Sequence, residues 1–424
     1  MNDVQKLLHF IEENNLEKAQ KIFSKLKRNG TDEEKYLLAE NLFQLGFLEQ
    51  AKELYELLLK SYPDENELKI LLAEILIDLN QEEEAILYLN AIDKEDAFYP
   101  QALLVSADLY QVLGLFEVSE QKLIEAKKLL TDEPVIDFAL GELYHSQGLF
   151  LKAVKYYKSL LELGHEEISG VFLPERMAEA YSASGAFEEA IPYYEKALQH
   201  HQDIDTLFGF AFTCYQAGFY KKAIKAFTDL KAMDHEFHSL YLYLAKAYEH
   251  EGELERSLAT VKQGLTVDRF NKELFYYGGK VALKENKEEL AETYIREALA
   301  LDPGYLAAAL TLNKLLIHQE RYEEVLEVIE KINEEGEVDP QLRWDAAVSH
   351  NALEQYSNAL KSYRLAYNDF KDNEKFLLEY GYFLREEGDI RAAVKVFRQL
   401  LEKDPTNEEI MIVLEQLEQD DIHF

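Results

Sequence analysis

Apolar residues along this chain recur with helical periodicity, and the pattern itself recurs. The segments LGFLEQAKELYELLLKSYPD, QGLFLKAVKYYKSLLELG, SGAFEEAIPYYEKALQHH, AGFYKKAIKAFTDLKAMD and EGDIRAAVKVFRQLLEKDP place Gly, an apolar residue two positions on and Ala five positions on, ahead of a helical stretch. Following the Ala position gives Ala19, Ala51, Ala85, Ser119, Ala153, Ala190, Ala223, Ser257, Ala291, Val325, Ala359 and Ala393. Eight of the eleven spacings are 34. Twelve residues earlier stands a second series: Leu7, Ala39, Ala73, Ala107, Gly141, Ala178, Ala211, Ala245, Gly279, Asn313, Ala347 and Gly381. Small residues on both helices of a pair let their backbones cross closely, and larger neighbours fill the remaining space. Phe23, Tyr55, Tyr157, Tyr194, Phe227, Tyr363 and Phe397 are those neighbours, four residues after the Ala position. The pattern predicts two helices per unit. Gly46, Gly114, Gly148, Gly185, Gly218, Gly252 and Gly388, or Asn14, Asn80 and Asn286, punctuate the turn between them. Pro63, Pro303 and Pro405 close second helices, and Pro100, Pro134 and Pro340 open new units.

These offsets resemble the tetratricopeptide repeat (TPR) family, over Met1 to about Asn407 in twelve units. The resemblance implies an all-α fold: a right-handed α-solenoid superhelix of about twelve helix-turn-helix units plus a C-terminal capping helix. Units one, three, nine and ten depart most, through Leu7, Glu82, Glu288, Asn313 and Val325. Pro192 falls inside a second helix, where it removes a hydrogen bond and is expected to kink the helix. One spacing of 37 puts three extra residues around Gly164 to Pro174. A seam or hinge is expected at 162–174, dividing one continuous array into units 1–5 (1–170) and units 6–12 (171–407). A capping helix and tail with a polar outer face then occupy 408–424.

Composition narrows the function. The 424 residues carry 81 acidic and 45 basic side chains, a net charge of -36. A body this negative repels phosphates, so nucleic acid is not an expected ligand. The 27 Tyr and 23 Phe argue against a disordered acidic chain. No apolar run approaches the ~20 residues needed to cross a bilayer, so no membrane insertion is expected. The opening MNDVQKLLHFIEENN lacks the form of a signal peptide, which points to a cytoplasmic protein. Resemblance to cytoplasmic TPR proteins of Gram-positive bacteria points the same way. No phosphate loop, dinucleotide fingerprint or hydrolase signature is present, so no enzyme, catalytic residue or cofactor is expected. Asp234-His235-Glu236-Phe237-His238 reads as a solvated loop between units and not as a metal site. Cys214 falls on a packing position and reads as a buried, inert thiol.

What the repeats share is packing, so individuality must lie on exposed positions. By resemblance, TPR proteins bind ligands with the inner face of each unit's first helix. One residue after the small position stand Glu40, Glu74, Asp108, Glu142 and Glu179, then Phe212, then Lys246, Lys280 and Lys314. Three residues before it the chain is apolar in nearly every unit, including Tyr36, Phe138, Phe208, Tyr276 and Trp344. The expected site is therefore a groove with an acidic N-terminal half, a basic C-terminal half and an apolar stripe. Its expected partner is a protein segment of mixed charge, basic toward the N-terminal half. The carboxylate clamp known in the family needs Lys, Asn, Asn, Lys and Arg across three adjacent units; no three units match, and Glu40, Glu74 and Asp108 stand at a clamp-type offset with the wrong sign, so that mode is not carried over. Two other roles fit the same repeats: self-association as a structural or assembly factor, and regulatory sensing of a peptide signal. The oligomeric state stays open.

Overall fold

A computed structural model describes residues 2–403 and 405–421, with side chains through 418. The protein is all-α apart from one short hairpin among the described residues, and it divides into two compact units, Met1–Thr213 and Cys214–Phe424.

In the first unit, consecutive helices pack as antiparallel pairs: α1 (Asp3–Glu12) with α2 (Leu16–Asn29), α3 (Asp32–Gln44) with α4 (Leu48–Ser61), and α5 (Asn66–Asp78) with α6 (Glu82–Asn90). There follow α7 (Tyr99–Val112) with α8 (Phe116–Leu129), α9 (Pro134–Ser146) with α10 (Phe150–Glu162), and α11 (Leu173–Ala183) with α12 (Phe187–His200). Strands β1 (Glu167–Ile168) and β2 (Val171–Phe172) lie between α10 and α11. Helix α13 (Ile204–Gln216) contains the boundary between the units.

The second unit continues with α14 (Tyr220–Met233), then pairs α15 (Ser239–His250) with α16 (Leu254–Val267) and α17 (Lys272–Lys284) with α18 (Glu288–Leu301). Next come α19 (Leu306–His318) with α20 (Tyr322–Glu334), α21 (Pro340–Ala352) with α22 (Tyr356–Phe370), and α23 (Glu374–Glu386) with α24 (Ile390–Lys403). Helix α25 (Glu408–Asp421) packs on α24.

The small positions permit close crossing. A Cβ added at Gly141 would lie 2.5 Å from the Tyr157 ring, and one at Gly381 would lie 2.6 Å from the Phe397 ring. Where an aromatic stands four residues after a marker Ala it is buried, in both units, as at Tyr55, Tyr157, Phe227, Tyr363 and Phe397. Each contributes about 2–3 kcal/mol of apolar burial. Every turn Gly and Asn named from the sequence adopts positive φ. Two turns have neither residue, and Glu320 (φ 59°) and Glu354 (φ 58°) take the left-handed conformation in their place. Pro192 lies within α12, which continues across it to His200.

Other departures from the repeat have local explanations. The three extra residues close into an antiparallel hairpin, Glu167 opposite Phe172 and Ile168 opposite Val171, turning through Ser169 and Gly170. Ile168 is buried with Tyr157 and Leu173, and Phe172 stacks on His200 with ring centroids 4.2 Å apart. The insertion is thus ordered structure with its own packing, and the boundary between compact units lies within α13. Asn313, the odd residue at a small position, is fully buried. Its Nδ2 donates to Asp345 Oδ2 at 3.4 Å, and Gln341 Nε2 donates to Asp345 Oδ1 at 2.8 Å. The Asn313 Oδ1 is buried without a hydrogen-bond partner. The terminal helix buries Ile410, Val413 and Leu417, but its outer face is less polar than expected, since Met411 and Ile412 are exposed. Residues 422–424 of the expected tail lie outside the described residues.

Candidate functional site

On the first-helix face of the first unit, α3, α5 and α7 present Glu40, Glu74 and Asp108. Asp78, one helical turn after Glu74, joins them. No cation lies within ion-pair distance of these four carboxylates among the described residues. Burial raises the Glu74 carboxyl above its ordinary range, reinforced by the charges of Asp78 and Asp108. Asp108 retains an exposed surface, yet its carboxyl is also raised, first by partial desolvation and then by Asp78. The Tyr55 phenol beneath them is pushed up chiefly by burial, with Tyr36, Glu40 and Glu74 adding to it. The face holds like charges close together and offers them no compensation.

The next two acids behave differently. Arg176 of α11 reaches Glu142 at 3.4 Å and Glu179 at 2.8 Å, while the Tyr157 hydroxyl donates to Glu142 at 2.6 Å. Both carboxylates thus have partners within the fold, sharing one guanidinium, so the five acids are not equivalent. Of the five acids at this repeat position, those without an ion-pair partner among the described residues are Glu40 on α3, Glu74 on α5 and Asp108 on α7. Phe138 is also corrected: it is only 8% exposed and packs against Tyr157, so it belongs to the core. Tyr36 is half-buried, with its hydroxyl donating to Glu67 at 3.1 Å. Phe208 and Phe212 stack on each other along α13 with centroids 6.3 Å apart.

In the second unit, Lys246 lies half-buried with Nζ 5.3 Å from the Tyr243 ring and 5.8 Å from the Tyr277 ring. Burial lowers its pKa, and the positive charge of Lys280 contributes in the same direction. Lys280 lies 5.7 Å over the Tyr276 ring, and Tyr276 hydrogen-bonds Thr311 at 3.1 Å. Lys280 and Lys314 are exposed, and neither has a carboxylate within ion-pair distance among the described residues. Trp344 is 7% exposed, donates Nε1–H to Glu379 at 2.8 Å and carries Lys375 at 5.8 Å from its ring. It is an embedded wall residue and not a projecting anchor.

Three residues that shape these faces were missed from the sequence: Asp78, Arg176 and Lys375. Arg176 had a local signal, since it stands three residues before Glu179 where a helix brings the two together. No group of His, Cys, Asp and Glu suited to a metal occurs among the described residues. Cys214 is fully buried. In the loop containing His235, Asp234 accepts from the Glu236 backbone and the His235 carbonyl accepts from Tyr241.

A curated relative settles the affiliation. Over 407 residues the chain is 44% identical to the TPR repeat-containing protein YpiA of Bacillus subtilis (strain 168), covering 96% of each protein. This chain belongs to the YpiA-like tetratricopeptide repeat family. The family model described as YpiA-like, tetratricopeptide repeats matches 111–165, and its C-terminal counterpart matches 340–407. General TPR models match 36–100, 175–206 and 282–344. Similar solved structures include YrrB, a TPR protein described as having an unusual peptide-binding site, at 17% identity and a TM-score of 0.37 over 44% of this chain and 95% of that one. Another is the Cut9–Hcn1 assembly, at 11% identity and a TM-score of 0.38 over 97% and 95%. The YpiA-like chain is therefore built from repeats that serve generally as protein-interaction modules and not as catalysts. No described helix is long and apolar enough to cross a membrane.

Proposed function

We propose that this YpiA-like protein is a non-enzymatic scaffold whose first-helix faces hold an extended or helical segment of a partner protein. The observation that carries this reading is the uncompensated set Glu40, Glu74, Asp78 and Asp108. Packing does not require it, because small and apolar residues already fill the helix crossings. Like charges on neighbouring elements repel, and partial burial raises the cost of keeping Glu74 and Asp108 ionised. A basic segment lying across α3, α5 and α7 relieves both penalties, and electrostatic steering speeds its arrival. The exposed lysines of the second unit call for an acidic segment there, which makes the partner one of mixed charge.

The test is capture of partners by tagged full-length protein at low and high salt. Glu74→Lys with Asp108→Lys is expected to abolish capture of the salt-sensitive partners and leave the helical circular dichroism unchanged. Retention of every partner by that variant overturns the assignment of the acidic face. Glu142 is unsuitable for the test, since reversing its charge would break the contacts with Arg176 and Tyr157.

A further inference from the structure

We propose that a cavity on the first-helix face of the second unit docks an acidic peptide segment carrying one large apolar side chain. This inference rests on the scaffold reading above and names the chemistry of what this face takes. The cavity measures about 660 Å³ and is walled by α17, α19, α21 and α23, within the size range of sites that enclose compact ligands. Its apolar wall includes Leu310, Ile317, Val348 and Trp344. Lys280 and Lys314 stand on successive first helices at its edge, and Lys375 stands on the far side. Glu379 is the one acid among the lining residues, and it is engaged by the Trp344 Nε1–H and by Lys375 at 3.7 Å.

Three lysines against one committed carboxylate leave the cavity net positive in a chain of net charge -36. Acids are abundant in the sequence, yet none stands three or four residues from Lys280 or Lys314: those positions are Tyr276, Tyr277, Leu283 and Lys284 for the first, and Leu310, Thr311, Ile317 and His318 for the second. Their helices therefore supply no local partner, and both ammonium groups remain available beside an apolar hollow. An acidic peptide satisfies the two features together, its carboxylates meeting the lysines while its apolar side chain enters the cavity. Nucleic acid is disfavoured because the surrounding negative body repels a polyanionic backbone.

Trp344 is the sole tryptophan and lines the cavity, so its emission reports occupancy in the full-length protein. The probes are short synthetic peptides: one with a single Leu or Phe set among Glu residues, one of Glu alone, and one with Lys replacing Glu. A single-stranded oligothymidylate is the competing probe. The Glu peptide with an apolar residue is expected to saturate the Trp344 signal and to bind more weakly as salt rises. Lys280→Glu with Lys314→Glu is expected to reduce its affinity at least tenfold, on the order expected for truncating charged interface contacts. Because both lysines are exposed, this variant keeps the wild-type thermal transition. Equal binding of the Lys peptide, undiminished binding to the double variant, or tighter binding of the oligothymidylate overturns the proposal. The variant leaves Glu74 and Asp108 intact. If the cavity fails these tests while the Glu74 and Asp108 variant still loses its partners, the scaffold reading stands and the cavity assignment falls.

Discussion

Replacing Asp345 with Asn is expected to stabilise the second unit at neutral pH. Asp345 is 7% exposed, and burial, with help from Asp339 and Glu379, pushes its carboxyl up to about 6 from an ordinary 3.8, against the opposing hydrogen bonds of Gln341 and Asn313. A carboxyl raised in the folded state costs nothing below its unfolded pKa. The cost grows as pH rises from there and is complete above the folded value. The difference corresponds to about 3 kcal/mol against folding at pH 7.5. Asn keeps the shape and still accepts from Gln341. Its amide nitrogen takes the place of Oδ2 opposite the Asn313 amide, which flips so that Oδ1 accepts, exchanging one hydrogen bond for another and adding nothing to the relief of about 3 kcal/mol. Loss of the charged acceptor offsets part of this, leaving a net gain of about 2 kcal/mol at pH 7.5 that vanishes near pH 4. Repeat arrays open locally, so the measurement is native-state hydrogen exchange in α19 and α21, with urea unfolding followed by Trp344 emission. The difference between variant and wild type across pH isolates Asp345 from all other acids. A difference that does not change between pH 4 and 7.5, or a variant less stable at pH 7.5, refutes the account.

Three further outcomes follow from individual residues. Glu320→Gly and Glu354→Gly are each expected to stabilise the protein by about 1 kcal/mol, because a left-handed residue with a Cβ carries a cost that Gly avoids; urea midpoints check this, and an unchanged midpoint rejects it. Glu74→Gln is expected to raise the thermal midpoint at neutral pH but not at pH 4. Its raised carboxyl penalises the folded state only once ionised, and a lower midpoint at neutral pH would contradict that sign. Gly381→Ala is expected to cost about 1–3 kcal/mol by overpacking, since the new Cβ meets the Phe397 ring at 2.6 Å; denaturant titration measures it, and Phe397→Leu in the same chain should recover part of the loss.

The repeat was legible because it is local. A small residue, a turn Gly and a buried aromatic each solve a problem within one hairpin, so their spacing survives in the sequence and the structure places them accordingly. Glu320 and Glu354 show the limit of that legibility. The register already fixed a left-handed turn there, although the residue type did not announce it. The faces were harder to read because ion pairing acts between units. Glu142 and Glu179 occupy the same repeat position as Glu74 and Asp108, but Arg176, with the Tyr157 hydroxyl, gives the first two partners that the other two lack. Likewise Phe138 and Trp344 share an offset with half-buried Tyr276, and depth of neighbouring packing decides which remains accessible.

That contrast bears on what the first-helix face is for. If acids stood there only as good helix formers, chance pairing with the chain's 45 basic residues would relieve some and leave others without regard to place. At this repeat position, Glu142 and Glu179 share Arg176 where α9 meets α11. The opposite condition holds on α5 and α7, where partial burial and the charge of Asp78 act together on Glu74 and Asp108. Substituting Gln at Glu74 is expected to lower that internal cost, so stability by itself favours losing the charge. A surface kept against stability is reasonably assigned to binding. Pairing the Glu74→Gln melting measurement with partner capture tests the trade directly: the scaffold reading requires stability to rise and capture to fall together.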